Sequence, residues 1–345
     1  MQTSGNWVGA LANVAVSADK RSDSAPKYPI GVRLKAWWLG EETAEIFARR
    51  QAEDSDEFDD GEDGDDLPPS PKKAPITSEL VDTDTYWAPA RITAAQMVWG
   101  QGFAAPGDEA YLMSLVNVAG LKSDMSILDL SGGLGGAARA LSERFGGLWI
   151  NSFEMSPELA KAGMEQTKMA GMSKKVPLES FDPAKPPWKK KFDFAFARES
   201  FYQIEKKEVV LLAIAKSLKP TGQCLLTDLV IREEGLSSPE LDAWKASEPN
   251  PVYLWSVEQY RAFFEKLKLP MSLSPQDLTE GYCKLIVSGW WKAQDTILRA
   301  KKNGDYDEEV LATLGDEAER WAARTAALQS GDLCVYRFYS DKRNR

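Results

Sequence analysis

The chain has 345 residues, of which 43% are hydrophobic, so it can bury a substantial core in one large domain or two small ones. Its formal net charge is −10, but ten of the fourteen residues from 53 to 66 are acidic and the rest of the chain sums to zero. A neutral body lacks the basic surface on which nucleic-acid binding depends, so no nucleic-acid partner is expected.

Histidine is absent, which excludes imidazole general bases and imidazole metal ligands, and no metal site is predicted. Cys224, Cys283 and Cys334 are odd in number and widely spaced, a pattern that favours a reducing compartment over a disulfide framework. There is no signal-peptide pattern and no run of eighteen apolar residues. The sequence therefore predicts a cytoplasmic protein without a transmembrane segment.

Three segments precede the main domain in the predicted organisation. Residues 1–26 are small and polar and are predicted to form a flexible terminus. Residues 27–50 carry apolar side chains at helical spacing, including Trp37 and Trp38, and predict an aromatic amphipathic helix. Residues 51–81 combine the acidic run with a proline-rich stretch, a composition that cannot bury apolar surface and indicates a disordered linker.

The main domain is predicted to span residues 82–345. Its first part, residues 82–121, indicates short helices that are interrupted at the glycines of 100–107. Trp99 and Phe103 lie beside these glycines. From the residues alone, a lid over a ligand and ordinary packing are both open for these two side chains.

The clearest motif is ILDLSGGLGG at residues 127–136. An apolar strand pattern containing Asp129 runs into four glycines within six positions, where the backbone can approach a ligand closely. A helix is predicted at 137–145. A strand, glycine loop and helix in this order hold a cofactor at the carboxyl edge of a parallel sheet. Gly133 and Gly135 also fit the dinucleotide-binding pattern G-x-G-x-x-A.

Strand and helix patterns alternate after the glycine loop, which predicts an α/β fold with a parallel sheet and helices on both faces. Beyond residue 230 the alternation loosens, and helical caps are predicted at about 231–270 and 280–330. The predicted strands are 148–153, 192–197, 223–230, 271–278 and 333–339, and the predicted helices begin at 157, 208, 257, 281 and 307.

Glu154 follows the second predicted strand, nineteen residues after Gly135, where a carboxylate can accept hydrogen bonds from ribose hydroxyls. Dinucleotide sites and S-adenosylmethionine sites share this feature. Asp129 at the tip of the first strand would repel a pyrophosphate but attract the ammonium and sulfonium groups of S-adenosylmethionine. The sign of that charge favours S-adenosylmethionine.

At this point the chain resembles the class I S-adenosylmethionine-dependent methyltransferases, especially the small-molecule branch that includes ubiquinone, tocopherol and phosphoethanolamine methyltransferases. The resemblance implies a Rossmann-like, mostly parallel sheet with an antiparallel last strand and with N-terminal and C-terminal helical additions. It also implies S-adenosyl-L-methionine as methyl donor and S-adenosyl-L-homocysteine as product. It covers about residues 96–230 and is carried by ILDLSGGLGG, FEMSPELA, SFDPAKPPW, FDFAFARESFYQI and SLKPTGQCLLTD.

The resemblance further implies roles for individual residues. The segment before the first strand would close over the cofactor, the glycine loop would hold its methionine end, and acids after later strands would hold ribose and adenine. Residues after the fourth strand would face the methyl group and the acceptor. The implied cofactor contacts are Gln96, Trp99, Phe103, Asp129, Ser131, Gly133, Gly135, Glu154, Met155, Asp182 and Arg198, and the implied catalytic residues are Arg198, Glu199 and Tyr202.

Two positions depart from the family pattern. Ser131 stands where the family usually has glycine, and Gln203 stands where related sequences often have histidine, which argues against phosphoethanolamine as the acceptor.

Methyl transfer from a sulfonium requires the nucleophile to be held in line and water to be excluded. Without histidine, a base would have to be Glu199, Tyr202 or Asp228. Aromatic residues at 244, 253 and 255 are predicted to line a pocket for a small acceptor that is aromatic, lipid-like or an amine. A homodimer is compatible with the sequence.

The leading interpretation is therefore a small-molecule methyltransferase that acts on a nitrogen or oxygen nucleophile. Two alternatives stay open at this stage. One is a methyltransferase-like binding or regulatory protein without turnover, and the other is an NAD-dependent oxidoreductase.

Overall fold

A seven-stranded sheet forms the centre of the computed structural model, which describes residues 86–304 and 308–344. The strand order is β3-β2-β1-β4-β5-β7-β6. Strands β1 to β5 are parallel, and β7 runs antiparallel to both β5 and β6. This is the mostly parallel sheet with an antiparallel last strand that the sequence predicts. The predictions for residues 1–26, 27–50 and 51–81 lie outside the described residues.

The elements alternate as expected up to β5 and then become mainly helical. The strands are β1 (Ser126–Asp129), β2 (Trp149–Glu154), β3 (Leu178–Ser180), β4 (Phe192–Arg198), β5 (Leu218–Ile231), β6 (Gln276–Asp277) and β7 (Leu333–Asp341). The helices are α1 (Pro89–Trp99), α2 (Glu109–Val116), α3 (Gly136–Arg144), α4 (Pro157–Met169), α5 (Lys207–Ser217), α6 (Pro239–Ser247), α7 (Val257–Lys266), α8 (Thr279–Asn303) and α9 (Glu308–Ser330).

Side-chain caps explain where several helices begin. Asp108 accepts a hydrogen bond from the Tyr111 amide at the start of α2, and Ser156 does the same for Leu159 at the start of α4. Ser256 and Gln259 form a reciprocal capping box at the start of α7. These contacts satisfy amides that have no partner within the helix, and they fix the point at which each helix leaves the sheet edge.

The long helices α8 and α9 lie between β6 and β7 in the chain and build a second core that also contains Leu229 and Ile231 of β5. Both helices pack against α1, and α9 also packs against α6. The ring of Trp99 in α1 lies edge-on to Trp321 of α9 at 4.7 Å and to Trp290 of α8 at 6.3 Å. Aromatic pairs at these distances hold the three helices together.

Three strand predictions need correction. The strand predicted at 271–278 is reduced to Gln276–Asp277 and one isolated bridge from Met271 to Ser340, because Pro275 has no amide to donate to a ladder. The edge strand β3 is missing from the prediction, since three residues carry too short a pattern. Strand β5 starts five residues before the predicted position, at Leu218.

We predict that Gly289→Ala destabilises the protein by about 1–3 kcal/mol. A Cβ at Gly289 would lie 2.6 Å from the Trp99 ring, so α8 or α1 would have to shift. Gly281→Ala on the same helix is the matched control, because a Cβ there meets nothing within 4 Å. Urea denaturation of both variants measures the difference. Equal stabilities would contradict the packing described for α1 and α8.

Candidate functional site

A cavity opens at the carboxyl edge of β1, β2 and β4, beside the glycine loop. Its volume, with solvent-open space included, is about 940 Å³. The loop before α2, the glycine loop, the ends of β2 and β4, and helices α8 and α9 all contribute to its wall. The lining residues are Tyr86, Trp87, Gly102, Phe103, Ala104, Ala105, Ser131, Gly132, Gly133, Leu134, Gly136, Ala137, Glu154, Met155, Leu159, Arg198, Glu199, Ser200, Tyr202, Gln203, Pro249, Asn250, Tyr282, Arg320, Trp321 and Arg324.

Two acidic side chains, Asp129 and Glu154, hold the glycine loop in place through hydrogen bonds. The Ser131 amide and hydroxyl both donate to Asp129 Oδ1 at 3.0 Å, and the Ser152 hydroxyl donates to Asp129 Oδ2 at 3.0 Å. The Gly133 amide donates to Glu154 Oε2 at 2.8 Å. The Ser131 hydroxyl therefore adds a hydrogen bond that holds the loop to β1.

Position 136 requires glycine because the backbone of Gly102 lies close to it. A Cβ at Gly136 would lie 2.4 Å from the Gly102 carbonyl oxygen, which accepts a hydrogen bond from the Gly136 amide at 3.0 Å. The Gly102 amide in turn donates to Gln96 Oε1 at 2.9 Å, and Gln166 Nε2 donates to the same oxygen at 3.1 Å. Gln96 thus positions the segment before β1 against the glycine loop, without lining the cavity itself.

Glu154 faces the cavity from the end of β2. Its Oε1 accepts a hydrogen bond from the Ser156 amide at 3.1 Å, and its Oε2 is held by the Gly133 amide. Burial raises the pKa of Glu154, while these amide donors lower it. A carboxylate has about four lone-pair sites, so Glu154 keeps capacity for two further donors on the cavity side.

Arg198 is the last residue of β4, and Glu199 directly after it has an unusual backbone conformation. Glu199 has φ of 38°, which a residue with a side chain adopts only at a cost of about 1–3 kcal/mol. Its amide donates to the Thr227 carbonyl at 2.7 Å, and its Oε1 accepts from the Thr227 hydroxyl at 2.7 Å. These bonds to β5 hold the strained residue in place, so its carboxyl is fixed at the cavity wall.

Several polar atoms around Glu199 are buried without a protein partner. They are Glu199 Oε2, Arg198 Nε and Nη1, and the hydroxyls of Tyr111 and Tyr282. Burial raises the pKa of Glu199, and the positive charges of Arg198 and Arg324 partly offset that effect. Buried polar atoms in native proteins nearly always have partners, so unpaired groups that line a cavity indicate that a ligand supplies them.

Tyr202 belongs to a buried network that links α6 and α9. Its hydroxyl is 2.9 Å from Arg324 Nη2, 3.1 Å from Gln203 Nε2 and 3.4 Å from Glu248 Oε2. Glu248 also accepts hydrogen bonds from Arg324 and from Trp244 Nε1. Burial raises the pKa of Tyr202, so its hydroxyl stays protonated.

Arg320 forms the neighbouring part of the cavity wall on α9. It donates to both carboxylate oxygens of Glu317, which also pairs with Arg91 of α1. Arg320 Nη1 lies 3.7 Å from Glu248 Oε2. Because Glu248 and Glu317 carry the opposite charge, they hold the pKa values of Arg320 and Arg324 high despite burial, and both arginines are cationic.

The structure brings together most of the residues predicted for the site. Those that line the cavity are Phe103, Ser131, Gly133, Glu154, Met155, Arg198, Glu199 and Tyr202.

Five predicted residues do not line it. Trp99 packs in the helical core, and Gln96 and Asp129 hold other segments in position. Gly135 has φ of 78° and is the N-cap of α3. Asp182 is exposed, and its carboxylate accepts a hydrogen bond from the Ala184 amide at 2.8 Å.

The three aromatic residues that are predicted to line the acceptor pocket do not line the cavity. Trp244 is fully buried and bonded to Glu248, and neither Tyr253 nor Trp255 lines the cavity. The candidate base Asp228 is buried and does not line the cavity. Its carboxylate accepts hydrogen bonds from the Tyr202 amide at 3.0 Å and the Tyr260 hydroxyl at 2.6 Å. The side chains of Trp244, Trp255 and Asp228 hold the architecture behind the site.

Sequence reasoning missed the wall opposite the glycine loop. Tyr86 and Trp87 line it from the segment before α1, Tyr282 from α8, and Arg320, Trp321 and Arg324 from α9. The one available signal was the spacing of the two arginines, four residues apart, which puts both on one helix face.

Two classes of site are absent from the described part of the chain. No group of three or more cysteine or acidic side chains in residues 86–304 and 308–344 is arranged to hold a metal ion. None of the helices in these ranges is both long enough and apolar enough to cross a bilayer.

Comparison with known proteins gives one family match. Residues 106–267 match a family model described as a methyltransferase domain. Phosphoethanolamine N-methyltransferase from Triticum aestivum is 24% identical over 227 residues, which are 66% of this chain and 42% of the wheat protein. The chain spans less than half the length of the curated relatives that it matches.

Solved structures share the fold at low identity. Haemonchus contortus phosphoethanolamine N-methyltransferase 2, in complex with phosphomonomethylethanolamine and S-adenosylhomocysteine, aligns with a TM-score of 0.64 and 18% identity over 75% of this chain and 59% of that one. The [4+2]-cyclase SpnF aligns with a TM-score of 0.55 and 17% identity over 73% of this chain and 92% of its own. One fold therefore serves more than one chemistry, and the site residues have to decide between them.

We predict that protonation of Asp228 contributes to stability below about pH 7. Burial raises the pKa of Asp228 from its ordinary value near 4 to about 7, although Lys207 lowers it in part. Between these two values the folded state holds a proton that the unfolded state has released, so stability falls as pH rises through 7. In Asp228→Asn this decline is removed.

Urea denaturation of the wild type and of Asp228→Asn at pH 5 and pH 8 measures this effect. The free energy of unfolding of the wild type, relative to the variant, should be smaller at pH 8. A difference that stays constant or increases with pH contradicts the prediction.

Proposed function

We propose, from the premise that residues 106–267 belong to the methyltransferase domain family, that the protein transfers a methyl group from S-adenosyl-L-methionine to a small-molecule acceptor. The observation that carries the proposal is that the glycine loop, the Glu154 carboxylate and the unpaired groups of Arg198 and Glu199 all line one cavity. One side can hold a nucleoside, and the other can hold a second molecule.

The residues present fit this cofactor. The cavity-facing capacity of Glu154 suits a pair of ribose hydroxyls, and Met155 and Leu159 offer apolar surface beside it. Gly133 lines the cavity with φ of 49°, and a Cβ there would have only the Ser131 carbonyl oxygen within 4 Å, at 3.8 Å. The glycine loop therefore leaves room for a ligand against its backbone.

Asp129 supports the choice of cofactor less directly than the sequence suggests. Its carboxylate is buried under the loop and bonded to Ser131 and Ser152, so it does not contact a ligand in the cavity. Its charge alone does not separate S-adenosylmethionine from a dinucleotide. The family match therefore provides the stronger argument against an NAD-dependent oxidoreductase.

When bound, S-adenosyl-L-methionine supplies an electrophilic methyl carbon on a sulfonium sulfur. The chain has to hold the acceptor in line with that carbon and keep water out. The aromatic rings of Phe103, Tyr282 and Trp321 line the cavity and exclude water from it. Glu199 Oε2 has no partner in the protein and is the atom that takes the proton of an acceptor O–H or N–H.

Arg198 and Tyr202 support this step in different ways. Arg198 places a positive charge beside Glu199, which lowers the pKa of that carboxyl and partly offsets the effect of burial. Tyr202 is not a base, because burial keeps its hydroxyl protonated and Arg324, Gln203 and Glu248 surround it. It is a positioning residue that ties the end of β4 to α9.

A binding protein without turnover is the second candidate function. The unpaired Glu199 Oε2 atom serves a bound ligand in either case, so detection of methyl transfer separates the two functions. Cytoplasmic location and a homodimer stay predictions.

We predict that Glu154→Gln weakens S-adenosyl-L-homocysteine binding at least tenfold, because the amide loses the charge and one acceptor position for ribose hydroxyls. Isothermal titration calorimetry measures the affinity. Glu165→Gln on the exposed face of α4 is the control and should bind as the wild type does. The proposal is contradicted if the wild-type protein binds NADH but binds neither S-adenosyl-L-methionine nor S-adenosyl-L-homocysteine.

We predict that Glu199→Gln lowers the rate of methyl transfer by about 10²- to 10⁴-fold, the usual contribution of a general base. The affinity for S-adenosyl-L-homocysteine should change by less than about threefold, because cofactor contacts are proposed at Glu154 and the glycine loop. The assay follows a labelled methyl group from S-adenosyl-L-methionine into a small-molecule extract. Glu205→Gln, at an exposed position on the same loop region, is the control. Unchanged transfer by Glu199→Gln would show that no base acts at this position.

A further inference from the structure

The helices α8 and α9 form a wall whose residues have no role in holding the cofactor. This wall consists of Tyr282, Arg320, Trp321 and Arg324, and it faces the same cavity as Arg198 and Glu199. We call these four residues, together with Arg198 and Glu199, the acceptor wall. Both helices pack against α1 and β7, and α9 also packs against α6.

Positive charge predominates on the acceptor wall. Three of its residues, Arg198, Arg320 and Arg324, carry guanidinium groups, while Glu199 is its one carboxyl. With that carboxyl ionised, as a general base requires, the wall still carries two more positive than negative charges. The carboxylates that pair with Arg320 and Arg324 belong to Glu248 and Glu317, which do not line the cavity. A cationic acceptor would therefore meet unfavourable charge here.

Besides Glu199, two donor groups of the wall require hydrogen-bond partners that the described protein atoms do not provide. Tyr282 is fully buried, and its hydroxyl is unpaired. Arg198 is unpaired at both Nε and Nη1. The side-on fork of a guanidinium is formed by Nε and Nη2, so Nε and Nη1 of Arg198 offer two separate charge-assisted donors to an anion.

Flat aromatic surface surrounds these polar groups. Tyr86, Trp87 and Phe103 line the cavity on one side, and Trp321 lines it on the other. The Arg324 guanidinium lies 4.4 Å from the centre of the Trp321 ring, so charge and aromatic surface are adjacent. A planar ring buries area well against such surfaces and gains from offset or edge-on contact.

These observations share one explanation. We propose that the methyl acceptor is a planar aromatic molecule with an anionic substituent, whose anionic group is bound by Arg198 and the Tyr282 hydroxyl. This proposal rests on the proposed methyltransferase function and names the substrate class of the same cavity. Arg320 and Arg324 add positive potential and remain bound to their carboxylates.

The test uses wild-type protein saturated with S-adenosyl-L-homocysteine and four one-ring probes of similar size. Benzoate and phenyl phosphate are anionic, benzyl alcohol is neutral, and benzylamine is cationic at pH 7.5. We expect both anionic probes to bind at least tenfold more tightly than benzyl alcohol, and benzylamine to bind no more tightly than the alcohol. Isothermal titration calorimetry measures all four affinities.

Tyr282→Phe provides the sharpest variant. Since the hydroxyl has no protein partner, its removal costs no internal hydrogen bond, and the melting temperature should be unchanged or higher. Benzoate affinity should nevertheless fall about three- to tenfold, while benzyl alcohol affinity stays the same. Tyr336→Phe, at a tyrosine on β7 that does not line the cavity, is the matched control and should leave benzoate affinity unchanged.

Arg198→Gln should reduce the preference for benzoate over benzyl alcohol to less than threefold, and Arg198→Lys should keep part of it. Arg261→Gln, at an exposed arginine on α7, is the control. The proposal is overturned if the wild type binds S-adenosyl-L-homocysteine but binds none of the probes, prefers benzylamine, or shows no preference for the anions. Absence of S-adenosyl-L-homocysteine binding would instead overturn the proposed function and this proposal with it.

Discussion

The hydrogen bond from the Gly133 amide to Glu154 Oε2 is the constraint on which the site depends. It joins the loop after β1 to the end of β2, so two neighbouring parallel strands contribute to the same part of the cavity wall. Each oxygen of the Glu154 carboxylate accepts a hydrogen bond from one loop amide. The carboxylate therefore keeps hydrogen-bonding capacity for a ligand in the cavity. The nucleoside side of the cavity follows from this bond.

The acceptor side depends on a different interaction, the buried ion pair between Glu248 and Arg324. It joins the loop after α6 to α9 and, through the Tyr202 hydroxyl, reaches the end of β4. Buried ion pairs contribute little net stability, because desolvation offsets much of the attraction, but breaking one costs several kcal/mol. This pair therefore fixes where α9 stands over the sheet, and with it the positions of two arginines at the cavity wall.

The sequence predicts the nucleoside side better than the acceptor side, for a physical reason. The glycine spacing and Glu154 act within a continuous strand, loop and helix, so local pattern is enough to predict their position. Tyr282 and Arg324 reach the cavity only because two long helices pack against α1 and α6, and no local pattern gives that packing. Trp99 is a residue for which the local pattern misleads. It lies close to the cofactor loop in the sequence, but α1 directs its ring toward Trp290 and Trp321, and the ring does not line the cavity. Asp129 was correctly expected at the tip of β1, but Ser131 and Ser152 occupy its oxygens.

A crystal structure of the protein with S-adenosyl-L-homocysteine tests the central claim most directly. The account predicts ribose hydroxyls within hydrogen-bond distance of the Glu154 carboxylate and the sulfur atom directed toward Glu199, with open space between the sulfur and the wall of α8 and α9. Adenosine bound away from Glu154, or a sulfur that faces away from Glu199, would contradict it.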